Sequence, residues 1–232
     1  MTSHESHAKV RSMQSWQKLA RRIRVPLGFV TAAVYVFEVA RRPAHPAAIA
    51  WSLVLVLPGL MLRAAASGTV KKNRELAVTG PYAYTRNPLY LGSMLMAAGF
   101  AVALLSWPLA VLLAAGFAVI YVPVIAGEEH FLRDTFPEFE EYCRQVPRLL
   151  PRLTPAKVQD DQAVASAALA GDMASDGFSF ALYLKHGEYN AALGAALLYL
   201  SLLYLRPVLE TLLHRVQYAL SAIAESNKRR TV

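Results

Sequence analysis

The sequence predicts an all-α, polytopic membrane protein with four core transmembrane helices and a candidate fifth. Of its 232 residues, 55% are hydrophobic and only 17% are charged, and the mean hydropathy is +0.32. Typical soluble domains are less apolar than this and carry more charge. The apolar residues also gather in runs close to the ~20 residues that cross a bilayer core. Composition and run length together therefore point to the membrane.

The formal net charge of +8 bears on the partners of the chain. Its basic residues flank the apolar runs rather than clustering on one face, and this disfavours nucleic acid as a partner. The same charge suits contact with anionic lipid headgroups. We therefore expect membrane lipids, and no nucleic acid, among the partners.

Four apolar runs form the predicted core, which occupies residues 25–155. A polar, basic tail with a short interfacial helix precedes them in residues 1–24. The runs cover residues 25–40, 46–66, 88–105 and 109–126. A tight turn at Ser106-Trp107-Pro108 would join the third and fourth runs into an antiparallel hairpin.

Separate elements are expected after residue 155. Residues 156–177 are rich in Ala, Asp, Ser and Gln, which predicts a linker. Residues 178–232 should hold further membrane-bound or amphipathic helices. Within them, residues 189–205 are at the lower limit of length for a span. Residues 207–223 carry apolar side chains at helical spacing, namely Leu209, Leu212, Leu213, Val216, Leu220 and Ile223.

The distribution of basic residues predicts how the helices are oriented. Arginine and lysine recur through residues 63–87 and 128–157, whereas the turn at Ser106 has none. The positive-inside rule then places both segments and the N-terminus on the cytoplasmic side, as in a bacterial-type inner membrane. A crossing at residues 189–205 would leave the basic C-terminus outside, so whether this run spans the membrane stays open.

Residues 80–92 form a polar, aromatic segment between the second and third runs. Gly80-Pro81 predicts a turn, and Asn87-Pro88 predicts a break at which a helix can start. The tyrosines and Arg86 of this segment suit either an interfacial loop or a binding site. Both interpretations remain open on composition.

Glu128 and Glu129 follow the fourth run. Acidic side chains are unfavourable at a helix C-terminus, so a pair of them favours a function over a solvated helix end. The adjacent His130 is a further candidate, because histidine is the commonest acid or base near neutral pH. No Cys-x-x-Cys or His-x-x-x-His spacing occurs, so no metal is expected. The single cysteine, Cys143, is expected to be a packed or interfacial thiol.

Together these segments resemble a known pair of motifs. The first reads Gly80-Pro81-Tyr82, then Arg86-Asn87-Pro88-Leu89-Tyr90-Leu91-Gly92; the second reads Glu128-Glu129, Leu132, Phe136, Tyr142, Val146-Pro147 and Pro151. In this order, with a hydrophobic hairpin between them, they resemble the isoprenylcysteine carboxyl methyltransferase and phospholipid methyltransferase family of integral membrane methyltransferases. The resemblance covers residues 50–155. The predictions for the residues before and after this range depend on composition alone.

That resemblance implies methyl transfer from S-adenosyl-L-methionine to a lipophilic acceptor, lipid-like or prenylated, at the cytoplasmic membrane face. The family's cofactor contacts fall on Arg74, Glu75, Leu76, Ala77, Tyr82, Asn87, Pro88, Leu89, Tyr90 and Glu128. Arg86 and Glu129 are the candidate catalytic residues. Carboxylates suit the ammonium group of such a donor, and aromatic faces suit its sulfonium.

Two positions depart from the family's pattern. Asn87 stands where the family has histidine, although asparagine can still donate and accept hydrogen bonds. Val124 stands where carboxyl-methylating relatives carry an arginine implicated in the substrate, which argues against a prenylcysteine carboxylate as the acceptor.

Two other functions stay open from the sequence. One is a nicotinamide-dependent membrane reductase of related fold, and the other is a non-catalytic membrane scaffold. The chain is shorter than such reductases, and a scaffold would not need two motifs that meet at one membrane face. The sequence names neither the acceptor nor the oligomeric state.

Overall fold

A computed structural model describes residues 23, 25–43, 45–70, 76–156 and 178–230. Within these ranges the chain is helical and forms no strand, which confirms the all-α prediction. Nearly all of the predicted tail and linker, residues 1–24 and 156–177, lies outside the described residues. The helices are α1 (25–41), α2 (Pro46–Thr69), a 3-10 helix (Gly80–Ala83), α3 (Pro88–Ala103), α4 (Trp107–Thr135), α5 (Phe139–Gln145), α6 (Phe180–His186) and α7 (Tyr189–Arg230).

The long apolar helices follow the predicted runs. In the described chain, three helices are long and apolar enough to cross a membrane: α2, α4 and the Tyr189–Tyr218 part of α7. The third run forms the shorter apolar helix α3, and the first run forms α1. The fifth run, whose crossing the sequence left open, therefore belongs to a helix of sufficient length.

α4 continues well beyond the expected end of the fourth run. It stops at Thr135, and Phe136 is extended, with φ −122° and ψ 110°. Phe136 precedes Pro137, and a residue before proline is disfavoured in helical geometry. Glu128 and Glu129 therefore lie inside the helix, and the expectation of a helix terminus at this pair is wrong.

The α3–α4 hairpin is present, with its turn one residue or two earlier than expected. Leu105 makes the reversal in a left-handed conformation, with φ 49°. The hydroxyl of Ser106 then accepts a hydrogen bond from the backbone N–H of Leu109 at 3.3 Å. This N-cap satisfies an amide that the first turn of a helix leaves unpaired. Trp107 and Pro108 are accordingly the first residues of α4 and not part of the turn.

Residues 189–205 and 207–223 form one helix and not a span followed by a separate amphipathic helix. α7 is 42 residues long and passes through Pro207. Proline removes one intrahelical hydrogen bond, and helices in membranes tolerate it where neighbouring groups satisfy the freed carbonyl. The two elements expected for residues 189–205 and 207–223 are therefore parts of one continuous helix.

α2 and α3 pack with their backbones in direct contact. A Cβ atom added to Gly92 would stand 2.7 Å from the carbonyl oxygen of Gly59, and one on Gly99 would stand 2.9 Å from that of Ser52. Distances this short leave room for no side chain at all. Small residues allow helices in membranes to approach this closely. We call Gly59, Gly92 and Gly99 the glycine seam.

α7 runs antiparallel to α2 and joins the same core. Tyr199 of α7 shares a hydrogen bond of 2.7 Å with the hydroxyl of Ser52, in the first half of α2. Tyr35 of α1 donates to the carbonyl oxygen of Leu198 at 2.9 Å. The core that these helices share contains Tyr35, Val39, Val56, Phe100, Leu104, Leu109, Ala195 and Leu202.

The end of α1 lies beside the α3–α4 turn. Arg42 forms an ion pair of 2.6 Å with the buried Glu38 and donates to the carbonyl oxygen of Leu105 at 2.8 Å. This polar group therefore marks one end of the helix bundle. α2 begins at this end and finishes at the other.

At that other end, α6 rests on the last turns of α2. The backbone N–H of Ser179 and the ring of His186 both hydrogen-bond to backbone carbonyls of α2, at 2.9 and 2.8 Å. Gly187 ends α6 in the left-handed conformation, with φ 68°, which glycine adopts without steric cost. The turn at Gly187 places Glu188 next to Arg63 of α2.

Candidate active site

A cavity of about 880 Å³ lies between the ends of α2, α3 and α4 and the segment around α5. Ligand pockets for small molecules commonly have ~300–1,000 Å³. Its walls include every predicted site residue that the structure describes: Leu76, Ala77, Tyr82, Arg86, Asn87, Pro88, Leu89, Tyr90, Glu128 and Glu129. The two remaining candidates, Arg74 and Glu75, lie outside the described residues.

The first motif is held in place by the chain that follows α5. The backbone N–H of Arg86 donates to the carbonyl oxygen of Pro147 at 3.0 Å. The side-chain amide of Asn87 donates to the carbonyl oxygen of Arg148 at 2.8 Å. Pro88 then starts α3 at a position where its missing N–H costs nothing. The two motifs are therefore folded against each other, although they are far apart in sequence.

Tyr90 and Glu128 meet across the α3–α4 hairpin. The hydroxyl of Tyr90 donates to Oε1 of Glu128 at 2.8 Å. The Tyr90 ring packs edge-on against Tyr121, with ring centroids 4.9 Å apart. This wall thus combines a carboxylate with two aromatic rings.

Arg86, Glu129 and Arg148 form an ion-pair triad on the adjoining wall. Nη1 of Arg86 lies 3.1 Å from Oε1 of Glu129, and Nη2 of Arg148 lies 2.6 Å from its Oε2. Arg148 Nε also donates to Oε1 at 3.1 Å, so both oxygens of Glu129 are engaged. Nε of Arg86 is buried and has no hydrogen-bond partner within the described residues. The guanidinium of Arg86 is thus held by Glu129 and does not use its buried Nε–H in this arrangement.

Two tyrosines outside the spanning helices complete the polar lining. The hydroxyl of Tyr142 donates to the carbonyl oxygen of Tyr82 at 2.8 Å, which fixes α5 to the first motif. Burial raises the pKa of Tyr82, and the negative charges of Glu128 and Glu188 raise it further. Burial also raises the pKa of Tyr142. Both phenols therefore stay protonated near neutral pH and act as neutral polar groups.

Arg63 and Ser93 line the cavity but were not predicted as site residues. Arg63 is the one charged residue in the run 46–66. Ionisable residues inside membrane helices commonly mark functional sites, and this signal could have identified Arg63. Ser93 offers no comparable signal in the sequence.

His130 does not line the cavity. Its ring lies 2.8 Å from the carboxylate of Asp134, one turn further along α4, and both side chains are largely exposed. Within the described residues, no group of three or more His, Cys, Asp and Glu side chains could hold a metal ion.

The first motif and the glutamate pair thus form the walls of one cavity, on either side of a hydrophobic hairpin. Residues 48–138 match the phospholipid methyltransferase family. The resemblance inferred from the two motifs is thereby confirmed for this segment. The phospholipid methyltransferase segment, residues 48–138, includes nearly all of α2 and the whole of α3 and α4, and it leaves out α1, α5, α6 and α7.

Two bacterial proteins are similar to part of the chain. One is the nickel-cobalt-cadmium resistance protein NccN of Alcaligenes xylosoxydans xylosoxydans, 42% identical over 84 residues. The other is the cobalt-zinc-cadmium resistance protein CzcN of Cupriavidus metallidurans, 40% identical over 84 residues. Each match covers 36% of this chain and only 39% of the relative. No solved structure matches the chain.

The apolar helices and the match to the phospholipid methyltransferase family support the same conclusion. The helices have the length and composition of membrane spans, and the matched family consists of phospholipid methyltransferases. These findings point to an integral membrane protein that contains a segment similar to phospholipid methyltransferases.

Proposed function

We propose that this protein transfers a methyl group from S-adenosyl-L-methionine to a lipophilic acceptor at the cytoplasmic face of the membrane. The observation that carries this proposal is the cavity within the phospholipid methyltransferase segment, where Tyr90–Glu128 and Arg86–Glu129 meet. The donor, when bound, would supply an electrophilic methyl group on a sulfonium centre.

The lining of the cavity suits this cofactor. Glu128 offers a carboxylate for the ammonium group, and the faces of Tyr82 and Tyr90 can stabilise a sulfonium cation. The guanidinium of Arg86 supplies a positive charge at the cavity wall that suits the cofactor's carboxylate. Leu76, Ala77, Pro88 and Leu89 add the apolar surface that an adenine ring needs.

We assign Glu129 the role of a positioning residue. Both of its oxygens accept hydrogen bonds from the guanidinium of Arg148, and Oε1 also lies 3.1 Å from Nη1 of Arg86, so the carboxylate is engaged in holding two arginines. Glu129 instead holds Arg86 against the cavity wall. The chain's contribution to the reaction is then proximity and orientation, which can lower a barrier by several kcal/mol, ~7 or more in favourable cases.

The described lining offers no obvious general base. The carboxylate of Glu128 accepts from Tyr90, that of Glu129 is held by two arginines, and Tyr82 stays a neutral phenol because its pKa is raised. A nucleophile that is already unprotonated, such as a thiolate, a carboxylate or a free amine, needs none. We therefore propose an acceptor of this kind with an apolar tail.

Thermal unfolding of the purified protein in a non-ionic detergent tests the class of function. S-adenosylhomocysteine should raise the unfolding temperature if the cavity holds a methyl donor, because a ligand that binds only the folded state stabilises it. Stabilisation by NADPH alone would favour a membrane reductase, and no effect of either would favour a scaffold. Nickel, cobalt, cadmium and zinc ions belong in the same series, because the names of the two relatives refer to resistance to these metals.

The acceptor can be sought directly. Membranes containing the protein are incubated with S-adenosyl-L-methionine labelled on its methyl group, and the extracted lipids are analysed by mass spectrometry. A labelled product that appears with the wild type and not with Glu128→Gln identifies the acceptor. Absence of any labelled lipophilic product from both membranes would contradict the proposed reaction.

A further inference from the structure

Arg63 lines the cavity, is not among the residues assigned to the methyl donor, and pairs with Glu188, which lies outside the lining. Arg63 lies in the second half of α2, and Glu188 lies in the turn between α6 and α7. The two side chains are 23% and 15% exposed. Glu188 belongs to residues 178–230, which follow the phospholipid methyltransferase segment and are not part of it.

The guanidinium of Arg63 joins two different parts of the molecule. Its Nε and Nη2 donate to one oxygen of Glu188, Oε2, at 3.0 and 2.7 Å. Its Nη1 donates to the hydroxyl of Ser93, and it also lies 3.4 Å from the carbonyl oxygen of Leu89. Ser93, Leu89 and Arg63 all line the cavity. The guanidinium thus contacts α3 and the cavity on one side and Glu188, which follows α6, on the other.

Neither helix contact depends on this ion pair. α2 and α3 already meet backbone to backbone at the glycine seam, and α6 is fixed to α2 by the hydrogen bonds of Ser179 and His186. A partly buried ion pair adds little net stability, because removing two charges from water offsets most of their attraction. Ionisable residues inside membrane helices commonly belong to functional sites, so we consider Arg63 as a binding residue.

We propose that Arg63 binds the anionic headgroup of the lipophilic acceptor and that Glu188, in the turn between α6 and α7, is the internal competitor of that headgroup. The identification of this anionic ligand as the methyl acceptor rests on the proposed function. A guanidinium matches a carboxylate or a phosphate with two parallel hydrogen bonds, which a neutral headgroup cannot reproduce. The acceptor's anion takes the place of the Glu188 carboxylate, so the charge on Arg63 stays balanced.

The position of Glu188 permits this exchange. It follows Gly187, whose left-handed backbone ends α6, and it precedes the first turn of α7. Rotation of a glutamate side chain in such a turn moves its carboxylate away from Arg63 without moving either helix. Arg63 makes the cavity prefer anionic over neutral headgroups, and the competing carboxylate of Glu188 limits how tightly an anion binds.

Binding of two matched amphiphiles tests the proposal without any methyl donor. Dodecyl phosphate and dodecanol share one tail and differ in headgroup charge. We expect dodecyl phosphate to raise the unfolding temperature of the full chain in a non-ionic detergent, and dodecanol to do so only weakly. Glu188→Gln removes the competitor and should tighten dodecyl phosphate roughly tenfold, the size of one charge-assisted contact. Arg63→Gln should abolish the preference for phosphate.

Two controls separate a specific site from general effects of charge. Glu38→Gln breaks the Glu38–Arg42 pair at the opposite end of the bundle and should leave dodecyl phosphate binding unchanged. Should Arg63→Gln fail to fold, Arg63→Lys keeps the charge without the planar fork and should bind dodecyl phosphate more weakly than the wild type. Unchanged or weaker binding in Glu188→Gln would overturn the proposal, as would an undiminished phosphate preference in the Arg63 variant.

The same samples distinguish this proposal from the proposed function. Stabilisation by S-adenosylhomocysteine reports on the donor site, whose assigned side-chain contacts do not include Arg63. A protein that responds to S-adenosylhomocysteine but shows no phosphate preference keeps the methyltransferase assignment and loses the anion site. A protein that shows the phosphate preference without responding to S-adenosylhomocysteine keeps the anion site and loses the methyl donor.

Discussion

Glu128 presents a carboxylate to the cavity and accepts one hydrogen bond from Tyr90. If it also holds the ammonium group of the methyl donor, Glu128→Gln loses a charge-assisted contact of ~1.5–3 kcal/mol. The affinity for S-adenosylhomocysteine should then fall by about tenfold or more. Isothermal titration calorimetry in detergent measures this change.

Glu141→Gln is the matched control for that experiment. Glu141 is an exposed glutamate of α5 whose partners, Arg144 and Gln145, belong to the same helix. Its substitution should leave the affinity as it is. Wild-type affinity in Glu128→Gln would remove Glu128 from the donor site.

Asn87 has two contacts that a substitution can separate. It lines the cavity, and its side-chain amide donates to the backbone of Arg148. Asn87→His keeps one ring donor for that carbonyl and should retain most donor affinity. Asn87→Leu leaves the carbonyl of Arg148 with only the longer hydrogen bond from the Thr85 hydroxyl, at 3.4 Å. The loss of one hydrogen bond costs ~0.5–1.5 kcal/mol and should lower both the unfolding temperature and the affinity for S-adenosylhomocysteine. A leucine variant equal to the wild type in both measurements would show that neither contact matters.

The thiol of Cys143 reports on the Arg86 side of the cavity. Burial raises its pKa, and the Arg86 guanidinium, 2.7 Å from Sγ, opposes that rise. A thiol with a raised pKa favours the protonated state in the fold, so its contribution to stability is present below the ordinary cysteine pKa and lost as the pH rises through the folded value. Alkylation by iodoacetamide should therefore accelerate at a higher pH than for an exposed cysteine.

A cysteine introduced by Glu141→Cys, in a Cys143→Ser background, supplies the exposed comparison. Arg86→Gln should slow the alkylation of Cys143 further, because it removes the charge that lowers the thiol pKa. Equal pH profiles for the two cysteines would contradict the assigned burial.

The packing of α2 against α3 is sensitive to the addition of a single carbon atom at the glycine seam. Gly92→Ala places a methyl group 2.7 Å from the carbonyl oxygen of Gly59 and should destabilise the fold, since overpacking costs ~1–3 kcal/mol. Gly194→Ala, in α7, meets no atom within 4 Å. It should be neutral or stabilising, because alanine is a better helix former by about 1 kcal/mol. Unfolding temperatures in detergent should therefore fall for Gly92→Ala alone.

The helices could be predicted because each is a run of apolar residues of the required length, but two of their ends could not. α4 continues beyond its apolar run, and there the carboxylate of Glu129 forms ion pairs with Arg86 and Arg148, which are remote in sequence. α7 continues through Pro207, where local rules predict a break. Neither the ion pairs of Glu129 nor the tolerance of α7 for a proline can be inferred from the neighbouring residues alone.

The candidate site was predictable to a similar extent. The two motifs flank a hairpin, so the hairpin alone brings Tyr90 to Glu128. The Arg63–Glu188 pair joins residues 125 positions apart, and no motif links them. Its formation depends on α6 and α7 folding back along α2.

The arrangement of the whole molecule predicts where each end of α7 lies relative to the membrane. α7 begins beside Arg63, at the end of the bundle that carries both motifs, and passes Ser52 toward the α3–α4 turn. If the motifs face the cytoplasm, as the positive-inside rule predicts, residues beyond Pro207 lie on the opposite side together with Trp107.

Single cysteines in a Cys143→Ser background test this topology. Trp107→Cys and Tyr218→Cys replace highly exposed side chains near the turn and in the second half of α7. In sealed right-side-out vesicles, a membrane-impermeant maleimide should label these two and spare Glu141→Cys. Labelling of Tyr218→Cys from the same side as Glu141→Cys would show that α7 does not cross.

The glycine seam also determines the direction from which a lipid-like molecule can approach. Where backbone touches backbone, no side chain can swing aside, so the α2–α3 junction is a closed wall to a hydrocarbon tail. α4 meets the cavity instead with Ile120, Tyr121 and Val124, whose side chains can change rotamer. A tail dissolved in the bilayer would enter along α4, and its headgroup would pass Glu128 before reaching Arg63.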